Sequence, residues 1–244
     1  MIPVILLGIE HDHKILDLCA SPGSKTIQAV DALYQQTNKP NGFIIANELD
    51  SKRSYILSHR CKLTLRDNMT NVAIVTHNAC KFPNVTSPLS STAKKKTTFD
   101  HVICDVPCSG DGTLRKDLKV WKTWHPSYGI SLHTTQLRIA KRGISLLNIG
   151  GIMTYSTCSF HPIENEAVVT ALLNTGCVEV IDEKYIQDKL NGIVYRNGIK
   201  TWKVLDDDCN EIAFGGKYPS SLWPPTKENP NYDYIIDSLS RCVR

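Results

Sequence analysis

Two short apolar runs, residues 101–104 and 151–155, each lead into a turn that presents a cysteine. The first continues as Asp105-Val106-Pro107-Cys108-Ser109-Gly110-Asp111-Gly112-Thr113, and the second closes as Tyr155-Ser156-Thr157-Cys158-Ser159. Runs this short, apolar and bounded by turn residues, read as buried strands. Residues 14–18, 42–46, 72–75 and 178–181 have the same character. Between them, residues 25–35, 51–66, 136–147 and 163–173 carry helical spacing; Leu137, Ile139, Ala140, Ile144 and Leu147 mark one apolar face. Strands alternating with helices predict an α/β, Rossmann-like fold: a mostly parallel twisted sheet with helices on both faces. At 244 residues and 41% hydrophobic, residues 1–244 can bury the core of a single domain.

The nine cysteines are odd in number and form no CxxC pair, which argues against a disulfide framework and against a zinc site. No metal is expected, and a reducing compartment fits. The apolar residues 1–9 lack a basic flank and are too short to span a membrane, so they are expected to pack as core, with no membrane partner. The net charge of +4 permits a nucleic-acid partner without requiring one. Residues 84–98, with Lys94-Lys95-Lys96, read as a mobile surface loop, and residues 206–232 as loops.

In doubly wound sheets, ligands bind at the carboxyl ends of the strands. The first such turn here contains Cys19, Ala20, Ser21, Pro22, Gly23, Ser24 and Lys25. Small residues let a ligand approach the backbone, and a helix start supplies free N–H groups. The turn is neither GxGxxG nor a P-loop. Glu48 lies 25 residues after Gly23, near the offset of an acid that binds a ribose hydroxyl pair. Ribose without a pyrophosphate grip fits S-adenosylmethionine better than NAD. The plainer alternative is that Pro22-Gly23 only turns the chain.

Two thiols at neighbouring strand ends suggest one that attacks and one that assists. A pyrimidine does not release its C5 proton unaided; a thiolate added to C6 makes C5 nucleophilic. The thiol needs a helix N-terminus or a cation to ionise, and Cys158 precedes an expected helix start at Pro162-Ile163. Asp105 can hydrogen-bond or protonate the ring, or else merely cap the next turn. Cys108 can help break the Cys158–C6 bond. Most of the nine cysteines, Cys177 among them, read as buried and inert, with Cys104 pointing into the core. In Arg115-Lys116-Asp117-Leu118-Lys119-Val120-Trp121-Lys122-Thr123-Trp124, cations interleave with two tryptophans. That pattern suits phosphate contact and base stacking, or else two core tryptophans beside a solvated face. Gln136, Arg138, Lys141 and Arg142 read as a solvated helix face.

With these residues in place, the chain resembles the Sun-domain (NSUN) RNA cytosine-5 methyltransferases, most closely the tRNA-methylating branch. The carrying stretches are Leu16 through Thr26, Ala46 through Arg53, Cys104 through Thr113 and Tyr155 through Ser159. The resemblance implies a class I S-adenosylmethionine-dependent methyltransferase acting on RNA, expected to be tRNA, as a monomer in the nucleus, the nucleolus included, or the cytoplasm. It makes Cys158 the nucleophile, Cys108 the release residue and Asp105 a contact to both cofactor and cytosine. Cys19 through Lys25 would hold the methionine part of the cofactor, and Lys25 would also reach toward the base. Glu48 would bind the ribose. Asn78 stands where the family often has Asp, and would hydrogen-bond the adenine. It further implies a catalytic core without the family's N-terminal RNA-binding region and last strand. Two rivals stay open: a DNA cytosine methyltransferase attacking through Cys108, and a non-catalytic RNA-binding core. A third, methylation of an exocyclic amine, needs no thiol and fits Asp105-Val106-Pro107-Cys108 less well.

Overall fold

The computed structural model describes residues 2–86 and 96–243. Along the chain run α1 (Ile2–Ile5), β1 (Lys14–Asp17), α2 (Ser24–Tyr34), β2 (Phe43–Asn47), α3 (Ser51–Leu65), β3 (Val72–Val75), β4 (Val85–Thr86), β5 (Lys96–Thr97) and β6 (Phe99–Asp105). Then follow α4 (Leu118–Thr123), α5 (Ser127–Leu146), β7 (Leu147–Ser156), α6 (Glu166–Leu173), α7 (Glu183–Lys189) and α8 (Tyr232–Ser240). The residues group into two compact units. One comprises Met1–Val106 and Ile139–Ser156, the other Pro107–Arg138 and Thr157–Arg244.

The first unit holds a five-stranded sheet in the order β3-β2-β1-β6-β7, with every pairing parallel. The chain moves outward from β1 to β3, then returns to place β6 on the other flank of β1. That reversal makes the β1/β6 edge the switch point where ligands bind in such sheets. Parallel strands are covered and hence apolar; β6 buries Phe99, His101, Val102, Ile103 and Cys104. α2 buries Thr26, Ala29, Val30 and Leu33, and α3 buries Leu57, Cys61 and Leu65; both are helical repeats of one face. Val4 and Leu7 of the apolar start join this core, as expected.

β7 is longer than the sequence suggests. Gly150-Gly151 lie inside it, at an irregularity between the Phe99↔Leu147 and His101↔Ile152 pairings, with Gly150 at φ 79°. Such a bulge lets a strand absorb turn-like residues without ending. The ends of the 84–98 segment pair as the antiparallel β4 and β5, through Val85↔Thr97 and Thr86↔Lys96. The rest of that expected loop, Lys94 and Lys95 included, lies outside the described residues.

The second unit packs around Ile163, Ala167, Leu173, Trp202, Val204, Leu222, Ile235 and Leu239. Trp202 donates its indole N–H to the Leu222 carbonyl at 2.7 Å, so its polar atom is satisfied inside the apolar cluster. Two expectations are corrected here. Residues 178–181 form no strand: the Val180 carbonyl accepts instead from the Arg241 guanidinium at 3.0 Å. The helix expected over 136–147 begins at Ser127. Its first turns are poor in helix formers, but His133, fully buried, bonds the Ile163 carbonyl and the Ser221 hydroxyl, both at 2.8 Å. Tertiary contact outweighs local propensity there. Among the described residues no helix is long and apolar enough to cross a membrane.

Gly23 fixes the first βα turn. Its φ is 102°, and a Cβ there would lie 2.9 Å from Leu57 Cδ1. Gly23→Ala should therefore lower the stability of this unit by about 1–3 kcal/mol through backbone strain, read as a lower urea midpoint with an unchanged slope.

Candidate active site

The first unit gathers a set of paired polar groups at the carboxyl ends of its strands. Asn47 at the end of β2 is fully buried. Its side chain donates to the Leu18 carbonyl at 2.9 Å and the His77 carbonyl at 3.0 Å, and accepts from the His77 N–H at 3.0 Å. It therefore locks the loops after β1 and β3 to β2. The sequence marks Asn47 only as an amide closing the apolar Phe43–Asn47 strand, with no role assigned to it. Glu48 follows, 5% exposed. Its carboxylate accepts the Asp50 N–H at 3.1 Å and lies 3.5 Å from the Arg53 guanidinium. Arg53 in turn donates to the Ser21 carbonyl at 2.9 Å, and Ser21 Oγ donates to the Arg53 carbonyl at 3.1 Å. The acid expected to meet a ribose is thus tied to the turn expected to meet the rest of the cofactor.

That turn runs from Cys19 to Lys25, with Ser21-Pro22 as a cis peptide. Ala20 donates its N–H to the Asn47 carbonyl at 2.8 Å, and Gly23 donates to the Ala20 carbonyl at 2.7 Å. α2 starts at Ser24 with Gly23 as its cap residue and no side-chain cap, so a ligand can take up its first-turn donors. Cys19 is a poor nucleophile: burial and the surrounding carboxylates push its thiol far up. Asn78 is exposed, and its side-chain oxygen accepts the Cys80 N–H at 2.9 Å.

Asp105, half-buried at the end of β6, is held from two sides. Lys25 Nζ lies 2.6 Å from Oδ2, and Ser156 donates its hydroxyl to Oδ1 at 2.6 Å. The turn-capping alternative for Asp105 finds no support in these bonds. Asp17, at the end of β1 and 1% exposed, accepts from the Thr26 hydroxyl at 2.7 Å. Burial, reinforced by the nearby Asp105 charge, pushes its carboxyl up to about 7 against the pull of the Thr26 bond. Asp17 is a second site residue to which sequence reading gave no role, although it closes the strand that precedes the turn.

The second unit brings the two thiols together. Cys108 Sγ and Cys158 Sγ are 3.1 Å apart, and the Cys158 N–H points at Cys108 Sγ from 3.2 Å. Cys158 is exposed and Cys108 half-buried. Two sulfurs this close cannot both carry a charge. The hydrogen bond to Cys158, and then burial, raise the Cys108 thiol well above its ordinary range, so Cys108 keeps its proton. Cys158 is the sulfur of the pair that is open to solvent. Hydrogen bonds between the two loops hold this geometry: Gly112 N–H to the Cys158 carbonyl at 2.9 Å, and Phe160 N–H to Asp111 Oδ1 at 2.8 Å. A Cβ on Gly112 would lie 2.6 Å from the Cys158 carbonyl oxygen.

Four expectations change. α6 begins at Glu166 with Asn165 before it, so no helix N-terminus sits at Cys158; the adjacent thiol is what faces it. Cys177 is exposed, not buried. Gln136 is fully buried, donating to the Pro107 carbonyl and to Glu164 Oε2, both at 2.9 Å. Arg142 donates to the Phe82 carbonyl at 2.5 Å and to Asn84 Oδ1 at 3.0 Å, so it is engaged rather than solvated; Arg138 and Lys141 are exposed. The tryptophans divide: Trp121 is 67% exposed, steadied by its indole bond to the Leu114 carbonyl at 3.0 Å, whereas Trp124 is half-buried beside His161. Arg115, Lys116, Lys119 and Lys122 around Trp121 are exposed.

Residues 4–210 match the family model described as 16S rRNA methyltransferase RsmB/F, and the chain belongs to that family. Over 248 residues it is 42% identical to the multisite-specific tRNA:(cytosine-C(5))-methyltransferase of Saccharomyces cerevisiae, covering 100% of this chain and 35% of that protein. It is 39% identical over 217 residues to the tRNA (cytosine(34)-C(5))-methyltransferase of Drosophila melanogaster, covering 87% of this chain and 28% of that protein. The solved structure of NSun6 from Pyrococcus horikoshii with SFG superimposes with a TM-score of 0.59 at 26% identity, over 72% of this chain and 40% of that one. The chain spans about a third of the length of these curated relatives. The sheet is that of the class I S-adenosylmethionine-dependent methyltransferases, as expected.

The Asp17 carboxyl gives this site a pH signature. Unfolded, it loses its proton near 3.8; folded, it holds it to about 7. The folded state therefore binds more protons between these values, and stability falls as pH rises through that window, by up to about 4 kcal/mol. Asp17→Asn should remove this component: its urea midpoint should vary less than wild type between pH 4 and pH 7, with the two slopes parallel above pH 8.

Proposed function

We propose that this chain is the catalytic part of an RNA cytosine-5 methyltransferase, with tRNA as its substrate. The observation that carries the reading is the Cys108–Cys158 pair, two thiols 3.1 Å apart of which only one is exposed. An inert pair of core cysteines would not leave one sulfur open to solvent. The relatives named above are tRNA cytosine-C(5) methyltransferases, which supports the same substrate class.

The residues of the first unit fit S-adenosylmethionine. The uncapped start of α2 and the bare Gly23 suit the methionine part, and the Glu48 carboxylate suits a ribose hydroxyl pair. The Asn78 side chain is assigned to the adenine. SFG, an analogue of this cofactor, in the Pyrococcus horikoshii structure supports S-adenosylmethionine as the cofactor. When bound, the cofactor supplies the methyl group that C5 takes.

The chain's own groups do the rest. Cys158 thiolate forms a bond to C6, and the C5–C6 electron pair moves to C5. Asp105, oriented by Lys25 and Ser156, bonds the N3 and amine edge of cytosine as charge develops there. After C5 has been methylated, a base takes its proton, that C–H electron pair re-forms the C5–C6 double bond, and the Sγ–C6 pair leaves with Cys158 as a thiolate. Cys108, hydrogen-bonded to the departing sulfur, is the group placed to assist that last step. The exposed cations from Arg115 to Lys122, with Trp121 among them, are assigned to RNA phosphates and to stacking on a base. A monomer in a reducing nuclear or cytoplasmic compartment belongs to this reading.

The roles are separable on a denaturing gel. Mixed with tRNA and S-adenosylmethionine, Cys108→Ala should accumulate a heat-stable protein–RNA band that wild type and Cys158→Ala lack. Turnover should fall on the order of a thousandfold or more in Cys158→Ala. A band that survives Cys158→Ala but requires Cys108 would reverse the nucleophile, as in a DNA-type enzyme. No band in any lane, with no calorimetric binding of S-adenosylmethionine, would leave a non-catalytic RNA-binding core.

A further inference from the structure

Beneath the two thiols lies a carboxylate to which the mechanism gives no task. Glu164 is fully buried. Its Oε2 accepts the Ser109 N–H at 2.8 Å and the Gln136 side-chain amide at 2.9 Å. Its Oε1 accepts the Ser159 hydroxyl at 2.8 Å and the Ser109 hydroxyl. Ser109 follows Cys108 and Ser159 follows Cys158, and their hydroxyl oxygens are 3.2 Å apart. The same Gln136 amide also donates to the Pro107 carbonyl, on the other side of Cys108. One acceptor group thus holds the residue next to each thiol, across 55 residues of sequence in one case and 5 in the other.

We infer that Glu164 is a positioning residue for the thiol pair: by binding Ser109 and Ser159 at once, it sets the register of the two cysteine loops and hence the sulfur–sulfur separation. This rests on the cytosine-methylating role proposed above for the consequence of that separation, though not for the separation itself. The argument is chemical. A carboxylate is an acceptor at every lone pair; here the Ser109 N–H and the Gln136 amide can only donate to it, and both serine hydroxyls donate as well. Glutamine has nearly the same volume but replaces one oxygen with an NH2 group. Facing the N–H and the amide, that group would set donor against donor; facing the serines, it would make both hydroxyls give up donating and accept instead. A residue that merely filled space would tolerate the exchange, whereas one that grips donors would not.

The test reads the sulfur separation without RNA or cofactor. Diamide takes two electrons and two protons from a close thiol pair, leaving a disulfide and a hydrazine. The Cys108–Cys158 linked peptides are then followed by mass spectrometry. In wild type they should form fast; in Glu164→Gln the rate should fall at least about tenfold, because disulfide closure tolerates little misplacement. In the methylation assay the same variant should lose about a hundredfold in kcat, with KM for tRNA and for S-adenosylmethionine unchanged. A cooperatively melting Glu164→Gln protein that cross-links and turns over like wild type would overturn the inference. If that variant does not fold, Ser109→Ala with Ser159→Ala carries the same measurement. It removes the hydroxyl grip and should slow cross-linking by about tenfold as well, and a wild-type rate there would equally overturn the inference. Fast cross-linking in a wild-type protein that never methylates RNA would refute the proposed function and leave the role of Glu164 standing.

Discussion

Parallel pairing of β1 with β2 on one side and β6 on the other is the constraint on which the first unit depends. A parallel sheet aligns the carboxyl ends of its strands, and the reversal of strand order at β1 leaves room there for a ligand. Asp17, Asn47, Glu48 and Asp105 all come from the last residue of a strand or the one after it. They are polar because backbone leaving a sheet needs partners that the ladder no longer supplies. Asn47 shows this directly, spending both ends of its amide on backbone groups beyond β1 and β3.

Charge in these sites is never left alone, with one exception. Asp105 has Lys25 and Ser156, Glu48 has Arg53 and a backbone N–H, and Glu164 has four donors. Such pairing is what makes buried charge tolerable. Asp17 is the exception: one hydroxyl does not offset its burial, and its carboxyl is raised toward neutrality. A group held near neutral pH at the cofactor turn ties the stability of that turn to pH.

The thiols obey a different rule. Their sulfurs lie 3.1 Å apart, and the helix that follows Cys158 begins only at Glu166. Their contact, together with burial, holds the Cys108 thiol well above its ordinary range. Exposure distinguishes them as well: Cys158 is open to solvent and Cys108 is half-buried.

Much of this was legible from residues 14–18, 42–46, 72–75 and 101–104, where short apolar runs can only be covered strands. The tight turn after β1 and the two cysteine loops were legible too, since local chemistry dictates them: small residues for a tight turn, and thiols at strand ends. What sequence alone misjudged were residues whose partners lie far along the chain. Gln136 looks like part of a polar helix face until Pro107 and Glu164 are placed against it, 29 and 28 residues away. The 178–181 run looks like a strand until the Arg241 guanidinium takes the Val180 carbonyl. The sequence by itself determined the elements, the turn chemistry and the identity of the two thiols, because periodicity and side-chain type act within a few residues. Only the tertiary structure decided which thiol keeps its proton and which carboxylate holds the pair, because those outcomes depend on distances between groups that the chain brings together last.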